Sequence, residues 1–419
     1  MLRLRPVTDI SLGLALLARP LHAQHAGHDM STMNADSAAR SSAHLMAQAI
    51  PLISHAAPSA GGVDQTQFVL TQLVVMARAA FLNNHAELSA ALNGEGLTMK
   101  SGELDTGAFG EGFVDRRHPH TYVHELMITG RGVAGPVSWS ATSGRGFTSF
   151  GTDDPMMRPL DKYPVNHHLS QILERAALIG ALRVGPAMVE GSTFGGDEPT
   201  SPSSRPRASR LGDSWAARAT LLPVAGTELQ ASYARVASPE EPTGHGLDQH
   251  KQSISARTTS RDGDLYLLAE WARTVERDHD RNVDVFGYET ALVEGSVRAG
   301  PLGIAMRLEQ TERPEEERQA DPSRTPRPAS DLSINGITRW RVATVQVAAP
   351  SVTRGPFSGF PFLELGRLAA TPRDARSFFT PQRFYDTSRF WMVTAGVRLR
   401  AGDAHSRMGR YGVAVPTSH

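Results

Sequence analysis

The sequence contains no cysteine, and its 43 Lys and Arg side chains are balanced by 43 Asp and Glu side chains. The missing thiols exclude disulfides, cysteine-based zinc sites and cysteine nucleophiles. The balanced charge argues against a nucleic-acid partner, because such proteins normally carry a basic excess. No window holds the roughly 20 consecutive apolar residues that a transmembrane helix requires. A chain without thiols also suits passage through an oxidising periplasm, where a stray thiol could form wrong bridges.

The first residues have the pattern of an export signal. Arg3 and Arg5 precede an apolar run over residues 10–18, and the small residue Ala23 ends the segment. This order of basic, apolar and small residues predicts a signal peptide over residues 1–23, with an amphipathic N-terminal helix of a cytosolic protein as the alternative. Residues 24–42, rich in Ser, Ala, His and Met, predict a disordered lead.

Period-two alternation of apolar and polar residues is the strongest pattern in the rest of the chain. In residues 388–400, Trp391 and Val393 fall on one face, and Thr394 and Arg398 fall on the other. Successive side chains of a strand point to opposite faces, so such a segment predicts a strand with one apolar and one polar face. The pattern recurs in residues 88–92, 137–142, 227–236, 251–261 and 302–313. Residues 66–79 and 336–349 fit it poorly, which is typical of a β-bulge that shifts the register.

The connections between strands decide between a soluble β-sandwich and a membrane barrel, since both contain alternating strands. Short turns and long polar segments take turns along the chain. The turns lie at 82–85, 130–136, 183–186, 223–226, 260–264 and 298–302, and the long segments at 100–118, 144–167, 195–213, 238–250, 313–336 and 372–387. Outer-membrane barrels have this asymmetry, with short periplasmic turns and long extracellular loops.

The sequence therefore predicts an all-β fold, a transmembrane antiparallel up-and-down barrel over residues 43–401. Counting hairpins gives about 16 strands, within a range of roughly 14 to 18, with the first strand near residues 44–54 and both ends in the periplasm. In architecture the whole mature chain resembles porin-like outer-membrane proteins. The resemblance implies a location in the bacterial outer membrane, passive transport, and outer-membrane lipid and the barrel-assembly machinery as partners.

The end of the predicted barrel departs from that resemblance. Outer-membrane barrels usually end in a strand with a terminal aromatic residue that the assembly machinery reads, whereas the last clear strand here ends near Arg400. Residues 402–419 then predict a C-terminal periplasmic tail, which either folds back into the bore or lies against the rim.

Charged residues of both signs lie opposite the apolar faces of the predicted strands. The candidate pore-lining residues are Arg218, Glu228, Arg257, Glu270, Arg307, Glu309, Arg313, Arg398 and Arg400. Side chains cannot fill a barrel of about 16 strands, so an aqueous channel is expected, and charges in such a channel tune which ions pass. The first hypothesis is thus a passive channel for small hydrophilic solutes or ions. The alternative is that the charges pair into a structural network, or that loops plug the bore.

Histidine and methionine residues form a second group of candidates. His118, His120 and His124 lie in one predicted strand, where they could bind a metal or belong to the membrane-interface belt. In the lead, the candidate metal ligands are His25, His28, Met30 and Met33. Imidazole and thioether together suit copper, and this lead resembles the His/Met-rich N-terminal segments of copper-resistance outer-membrane proteins. The resemblance implies a second hypothesis, a barrel that only anchors a surface protein which binds copper or another transition metal, or acts as a receptor.

Catalytic motifs do not accompany these patterns. The sequence shows no Gly-x-Ser-x-Gly elbow and no Walker loop. Asp278, His279 and Asp280 could supply a base at a loop tip, but a charged turn of this kind is more often solvated. The sequence therefore predicts no enzyme and no required cofactor.

Overall fold

The computed structural model describes residues 42–58, 64–98, 120–152, 154–161, 163–165, 167–199, 201–241, 243–316, 334–378, 380–402 and 407–415. In these ranges, no helix is long and apolar enough to cross a membrane. The predicted signal peptide, the lead before residue 42, and the candidate ligands His25, His28, Met30, Met33 and His118 lie outside the described residues.

The described residues form antiparallel strands and, besides some 3-10 turns, two short α-helices, α1 (Glu95–Thr98) and α2 (Pro381–Tyr385). The strands are β1 (Ser42–Ala57), β2 (Gln65–Phe81), β3 (Ala86–Asn93), β4 (Val123–Ala134), β5 (Val137–Gly146), β6 (Arg175–Val184), β7 (Ala187–Phe194), β8 (Ser214–Leu221), β9 (Thr227–Val236), β10 (Asp248–Thr259), β11 (Leu265–Asp278), β12 (Val283–Ala299), β13 (Leu302–Glu316), β14 (Ile334–Ala348), β15 (Val352–Arg354), β16 (Phe357–Pro372) and β17 (Arg389–Gly402).

The sheet closes on itself. Each strand pairs with its neighbours along the chain, and β1 pairs with β17, for example Ala49 with Leu399 and Ser54 with Thr394. The short β15 only extends the hairpin between β14 and β16, which pair directly with each other. The result is a closed barrel of 16 antiparallel strands, which confirms the predicted fold.

The barrel has apolar side chains on its outside and polar side chains on its inside, which is the reverse of a soluble β-sandwich. On β13, Ile304, Met306 and Leu308 point outward and are 37%, 44% and 48% exposed, whereas Arg307 and Thr311 point inward and are fully buried. Because the alternation puts apolar side chains on the outer surface of every long strand, this surface suits lipid rather than water.

Connection length separates the two ends of the barrel. At one end, here called the turn end, the strands are joined by residues 82–85, 135–136, 185–186, 222–226, 260–264, 300–301 and 349–356. At the opposite loop end, long segments such as residues 94–122, 147–174 and 317–333 join the strands, although only residues 279–282 join β11 to β12. β1 begins and β17 ends at the turn end, as the parity of the strands requires.

One of the two segments with poor alternation contains an irregular strand pairing, and the other begins next to one. Between β1 and β2 the register shifts after Gln48, and Gln72 on β2 has a φ of 50°. Between β13 and β14 the register shifts at Glu315, opposite residue 335. An extra residue in one strand reverses the faces of all that follow, so the bulge at Gln72 explains why simple alternation fails in residues 66–79. In residues 336–348 the pairing is regular, and alternation fails because the inward residues Trp340 and Val342 are apolar.

Candidate functional site in the bore

All nine charged residues predicted to line a pore point toward the interior of the barrel. Arg218, Glu228, Glu270, Arg307, Glu309, Arg313 and Arg398 are buried there, and Arg257 and Arg400 are half-buried. Their burial has two sources: ion pairs along the wall, and two segments of the chain that enter the bore. That any of them lines a conducting path stays a prediction.

Ion pairs within the wall bury two of these arginines on β13. Arg307 donates from Nε to Glu294 Oε2 on β12 at 2.6 Å, and both side chains are fully buried. Arg313 donates from Nη2 to Glu315 Oε1 at 2.8 Å, and its guanidinium carbon lies 4.8 Å from the centre of the Trp340 ring. In this part of the wall the charges therefore pair into a structural network, which is the alternative to pore lining given above.

Residues 147–174, here called the inward loop, leave β5 and cross the bore before joining β6. The backbone N–H groups of Ser149 and Gly151 donate to Ser192 Oγ on β7 and Ser232 Oγ on β9, at 3.2 and 3.0 Å. Farther along the loop, Val165 N–H donates to Glu309 Oε2 on β13 at 3.0 Å. The loop thus contacts walls on both sides of the barrel.

Two carboxylates hold the middle of the inward loop. Glu270 on β11 accepts from Ser170 Oγ at 2.6 Å and from Arg158 Nη2 at 3.2 Å. Asp161, on the loop itself, accepts from Arg398 Nε on β17 at 2.7 Å and also from Gln346 Nε2 on β14. Since each contact is buried and one partner is charged, these hydrogen bonds belong to the stronger class.

Apolar packing completes the docking of the loop. Phe147, Phe150 and Met156 join a buried cluster with inner-wall residues of β2, β4, β6 and β8. On the opposite wall, Val165 packs with Trp340 in a second cluster. The loop is therefore fixed by a hydrophobic core inside the barrel as well as by polar contacts.

Residues 407–415, here called the tail, also lie inside the barrel, so the first of the two arrangements predicted for the C-terminal segment is observed. The periplasmic location predicted for this segment stays a prediction. Tyr411 donates from its hydroxyl to Glu125 Oε2 on β4 at 2.9 Å and accepts from Phe147 N–H at 3.1 Å. Val413 N–H donates to Ser140 Oγ on β5 at 3.2 Å.

The tail also brings arginines to the acidic side chains of β7 and β9. Arg410 donates from Nη1 to Glu190 Oε2 at 3.1 Å and from Nη2 to Glu228 Oε1 at 2.7 Å. Arg407 donates from Nη1 to Glu228 Oε2 at 2.6 Å. Arg218 on β8 forms a two-point pair with Glu190, Nη2 to Oε1 at 2.6 Å and Nε to Oε2 at 2.7 Å.

A cluster of histidines and carboxylates lies near the loop end. His124 Nδ1 and Glu174 Oε1 are 2.8 Å apart, and His124 Nε2 lies 3.8 Å from Asp154 Oδ2. His120 Nδ1 lies 3.2 Å from Glu95 Oε2. The rings of His120 and His124 are 4.8 Å apart between centroids.

The outer face that alternation predicts for His124 is wrong. On the sequence pattern, His124 would share the outer face with Leu126, but it is fully buried inside the barrel while Leu126 is exposed. The pairing of β3 with β4 shifts between Ala91 and Leu92, so His124 lies at a bulge and turns inward. His120 precedes β4 and is not a strand residue.

Charge in the cluster depresses the pKa of two carboxyl groups outside the strands. Burial alone would raise the pKa of Glu95, but the His120 ring and hydrogen bonds from Thr71 and Gln72 bring it below its ordinary value of 4.5. Burial likewise opposes ionisation of Asp154, yet the adjacent His124 brings its pKa below the ordinary value of 3.8. Both carboxylates are therefore held in the ionised form.

The part of the chain that the structure describes contains no candidate metal site. No group of three or more histidine and acidic side chains among the described residues is arranged to hold a metal ion. Of the histidines considered as metal ligands, His120 and His124 lie inside these ranges, and their neighbours are those of the histidine cluster. Copper binding by the lead stays a prediction.

Comparison with known proteins agrees with the architecture. The sequence matches no protein-family model and no curated protein. An anion-selective porin from Comamonas acidovorans superposes with a TM-score of 0.52 at 10% identity, covering 87% of this chain and all of that one. The chain has the porin fold. OprB of Pseudomonas putida gives a TM-score of 0.49 at 12% identity, covering 87% of this chain and 94% of its own.

Several residues that organise the bore were not found from the sequence. They are Glu190, Asp161, Glu294, Glu315 and Arg410. Alternation could have found Glu190, since it faces inward on β7 between outward Val189 and Gly191. Nothing local in the sequence marks Asp161 or Arg410, because both act through partners on distant strands.

Proposed function

We propose that the chain is a passive, non-catalytic channel for small hydrophilic solutes, resident in the bacterial outer membrane. The observation that carries the proposal is the inverted barrel: a closed 16-strand cylinder with an apolar outer surface and a charged, hydrogen-bonding inner wall. Such an exterior belongs in lipid, and a barrel of about this size exceeds what its own wall side chains can fill.

Within this proposal, the inward loop and the tail set the width and charge of the path. They occupy the side of the bore beside β4–β9, and the loop reaches β13, β14 and β17. Solutes would pass beside them, where Arg257 on β10 and Arg400 on β17 remain half-buried rather than fully covered. Export through the periplasm and insertion by the barrel-assembly machinery would place the turn end in the periplasm.

The test is the conductance of the refolded full chain in planar lipid bilayers. We expect discrete current steps of reproducible size, and swelling of liposomes in small sugars that declines as the sugar grows. The control is the same protein heat-denatured before reconstitution. A barrel that keeps its compact, heat-modifiable mobility on gels and inserts into the bilayer, yet passes no current, would overturn the proposal in favour of an anchor.

A further inference from the structure

Three arginines face outward toward the loop end of the barrel, on the same outer surface as the apolar side chains. They are Arg341 on β14, Arg367 on β16 and Arg389 on β17, and all three are exposed. The register places them around one small residue, because Ala369 on β16 pairs with Arg341 on one side and with Arg389 on the other. Arg367 lies two residues from Ala369 on the same face. We call these three arginines the outer arginine cluster.

The charges of the outer arginine cluster are not balanced by the described part of the protein, where no carboxylate pairs with any of the three. Arg341 donates from Nε to the amide Oε1 of Gln310 at 3.1 Å. The guanidinium carbon of Arg367 lies 5.4 Å from the centre of the Trp391 ring. These contacts orient two of the guanidinium groups and neutralise neither, so three positive charges face outward.

The acidic residue opposite the neighbouring Arg339 does not compensate these charges. Glu312 Oε1 on β13 accepts from Arg339 Nη2 at 2.9 Å, and its Oε2 accepts from Arg373 Nη1, also at 2.9 Å. Two arginines thus share one carboxylate, and the three residues together carry one net positive charge. This group therefore adds to the positive charge beside the outer arginine cluster.

Toward the turn end, the outward side chains next to the cluster are apolar. Val345 follows on β14, Leu365 and Leu363 follow on β16, and Val393 follows on β17, all of them exposed. Trp391, at the level of Arg367 in the register, lies at the border between the two regions. Aromatic residues at such a border are typical of the boundary between lipid headgroups and acyl chains. The surface therefore has a cationic level beside an apolar level, as a bound lipid requires.

We propose that the outer arginine cluster binds the phosphate groups of the phosphorylated glycolipid of the bacterial outer leaflet, with the acyl chains of this lipid on the apolar surface beside it. The inference rests on the proposed residence in the outer membrane with the loop end outside. Guanidinium groups form two-point hydrogen bonds with phosphate. Arg341 and Arg389 start two strand spacings apart, about 10 Å, so the cluster matches a lipid with two phosphates better than a phospholipid with one.

The test is the affinity of the full chain, in micelles of an uncharged detergent, for lipid A, the bisphosphorylated anchor of that glycolipid. Titration followed by native mass spectrometry gives the dissociation constant. Replacing all three arginines by glutamine, in Arg341→Gln/Arg367→Gln/Arg389→Gln, should weaken binding at least about tenfold, because charge-assisted hydrogen bonds to the phosphates are lost.

A matched control removes the same number of exposed charges elsewhere. Arg261→Gln/Arg281→Gln/Arg298→Gln changes two residues at the turn end and one in the turn between β11 and β12, and should bind lipid A like the native chain. Heat-modifiable mobility on gels shows whether each variant is folded. Should the cluster variant fail to fold, Arg389→Glu replaces a side chain without a contact in the described residues, and should weaken binding at least about threefold.

Other probes identify the ligand. Lipid A with both phosphates removed should bind at least about tenfold more weakly than lipid A, and phosphatidylglycerol and inorganic phosphate should also bind more weakly. Equal affinity for the dephosphorylated form would disprove phosphate recognition. Equal affinity for phosphatidylglycerol or for inorganic phosphate would disprove the assignment to a glycolipid, and equal affinity of the cluster variant and the control would disprove the site.

Bilayer recordings of the native chain separate this inference from the channel proposal. Binding of lipid A that depends on the cluster, in a chain that passes no current, would leave the lipid site standing and reject the channel. Normal currents, together with lipid A binding that the cluster variant retains in full, would reject the lipid site and leave the channel standing.

Discussion

At the scale of single residues, the inner wall depends on charges that are buried in pairs. Arg307 and Glu294 are both fully buried and 2.5 Å apart. Removing only Arg307, as in Arg307→Met, should lower the free energy of unfolding by about 3–5 kcal/mol, because Glu294 keeps a buried charge. The double variant Arg307→Met/Glu294→Leu should recover most of that loss. Denaturant unfolding in micelles measures both, and equal losses in the single and double variants would contradict the argument.

Glu95 should make the loop end sensitive to acid. Its pKa in the folded barrel lies below 4.5, so its ionised form stabilises the native state. This contribution is complete above pH 4.5 and is lost as the pH falls through the lowered value. Glu95→Gln should cost about 1–3 kcal/mol at pH 7, where the carboxylate is a buried acceptor, and should flatten stability between pH 5 and about 3.

Thermal midpoints measured from pH 3 to pH 7 check this expectation. Asp374→Asn is the matched control, because the pKa of Asp374 is also lowered, by Arg376, but its carboxyl is exposed rather than buried. The control should follow the native profile closely. A Glu95→Gln profile as steep as the native one would show that the acid response arises elsewhere.

The role of a residue could be predicted only where neighbouring residues of its own strand determine it. The side of the barrel that Arg307 or Glu270 faces follows from alternation within one strand, so it could be read from the sequence. The ion-pair partners could not be read from the sequence, because they are far apart along the chain. Arg410 and Glu190 are separated by 220 residues, and Arg398 and Asp161 by 237. Bulges are a further limit, because the single extra residue at His124 reverses the face that alternation assigns.

At the scale of elements, the inward loop is the part most open to test. Asp161 joins it to Arg398 of β17 and Gln346 of β14. Asp161→Ala should release this attachment, leave Arg398 a buried charge without its carboxylate, and lower stability by about 3 kcal/mol. We expect single-channel conductance and the size limit for sugars to rise. Asp374→Ala, on an exposed loop, should change neither.

The conductance of Asp161→Ala tests directly whether the inward loop narrows the path. If Asp161→Ala is destabilised as expected but conducts like the native chain, the loop does not narrow the path.

The strand order and the lengths of the connections were predictable, since both follow from local alternation and turn chemistry. The inward course of residues 147–174 was not, because a long polar segment reads the same whether it extends outward or folds into the bore.

At the scale of the whole molecule, the outward apolar surface should tolerate charge only near its edges. Leu308 lies in the middle of β13 and Leu302 at its turn end, and both point outward. In lipid, Leu308→Arg should cost about 2–4 kcal/mol and Leu302→Arg only about 0–1 kcal/mol. Unfolding and refolding in vesicles measures both. Equal costs for the two variants would mean that the apolar band is not centred on the strand.

Closure of the cylinder by its first and last strands also imposes an order on assembly. The wall next to β1 is incomplete until β17 arrives, and the tail follows β17 in the chain. The enclosed space that the tail fills therefore exists only once the seam between β1 and β17 has formed. Arg410 and Tyr411 can therefore take up their buried positions only after that seam has formed.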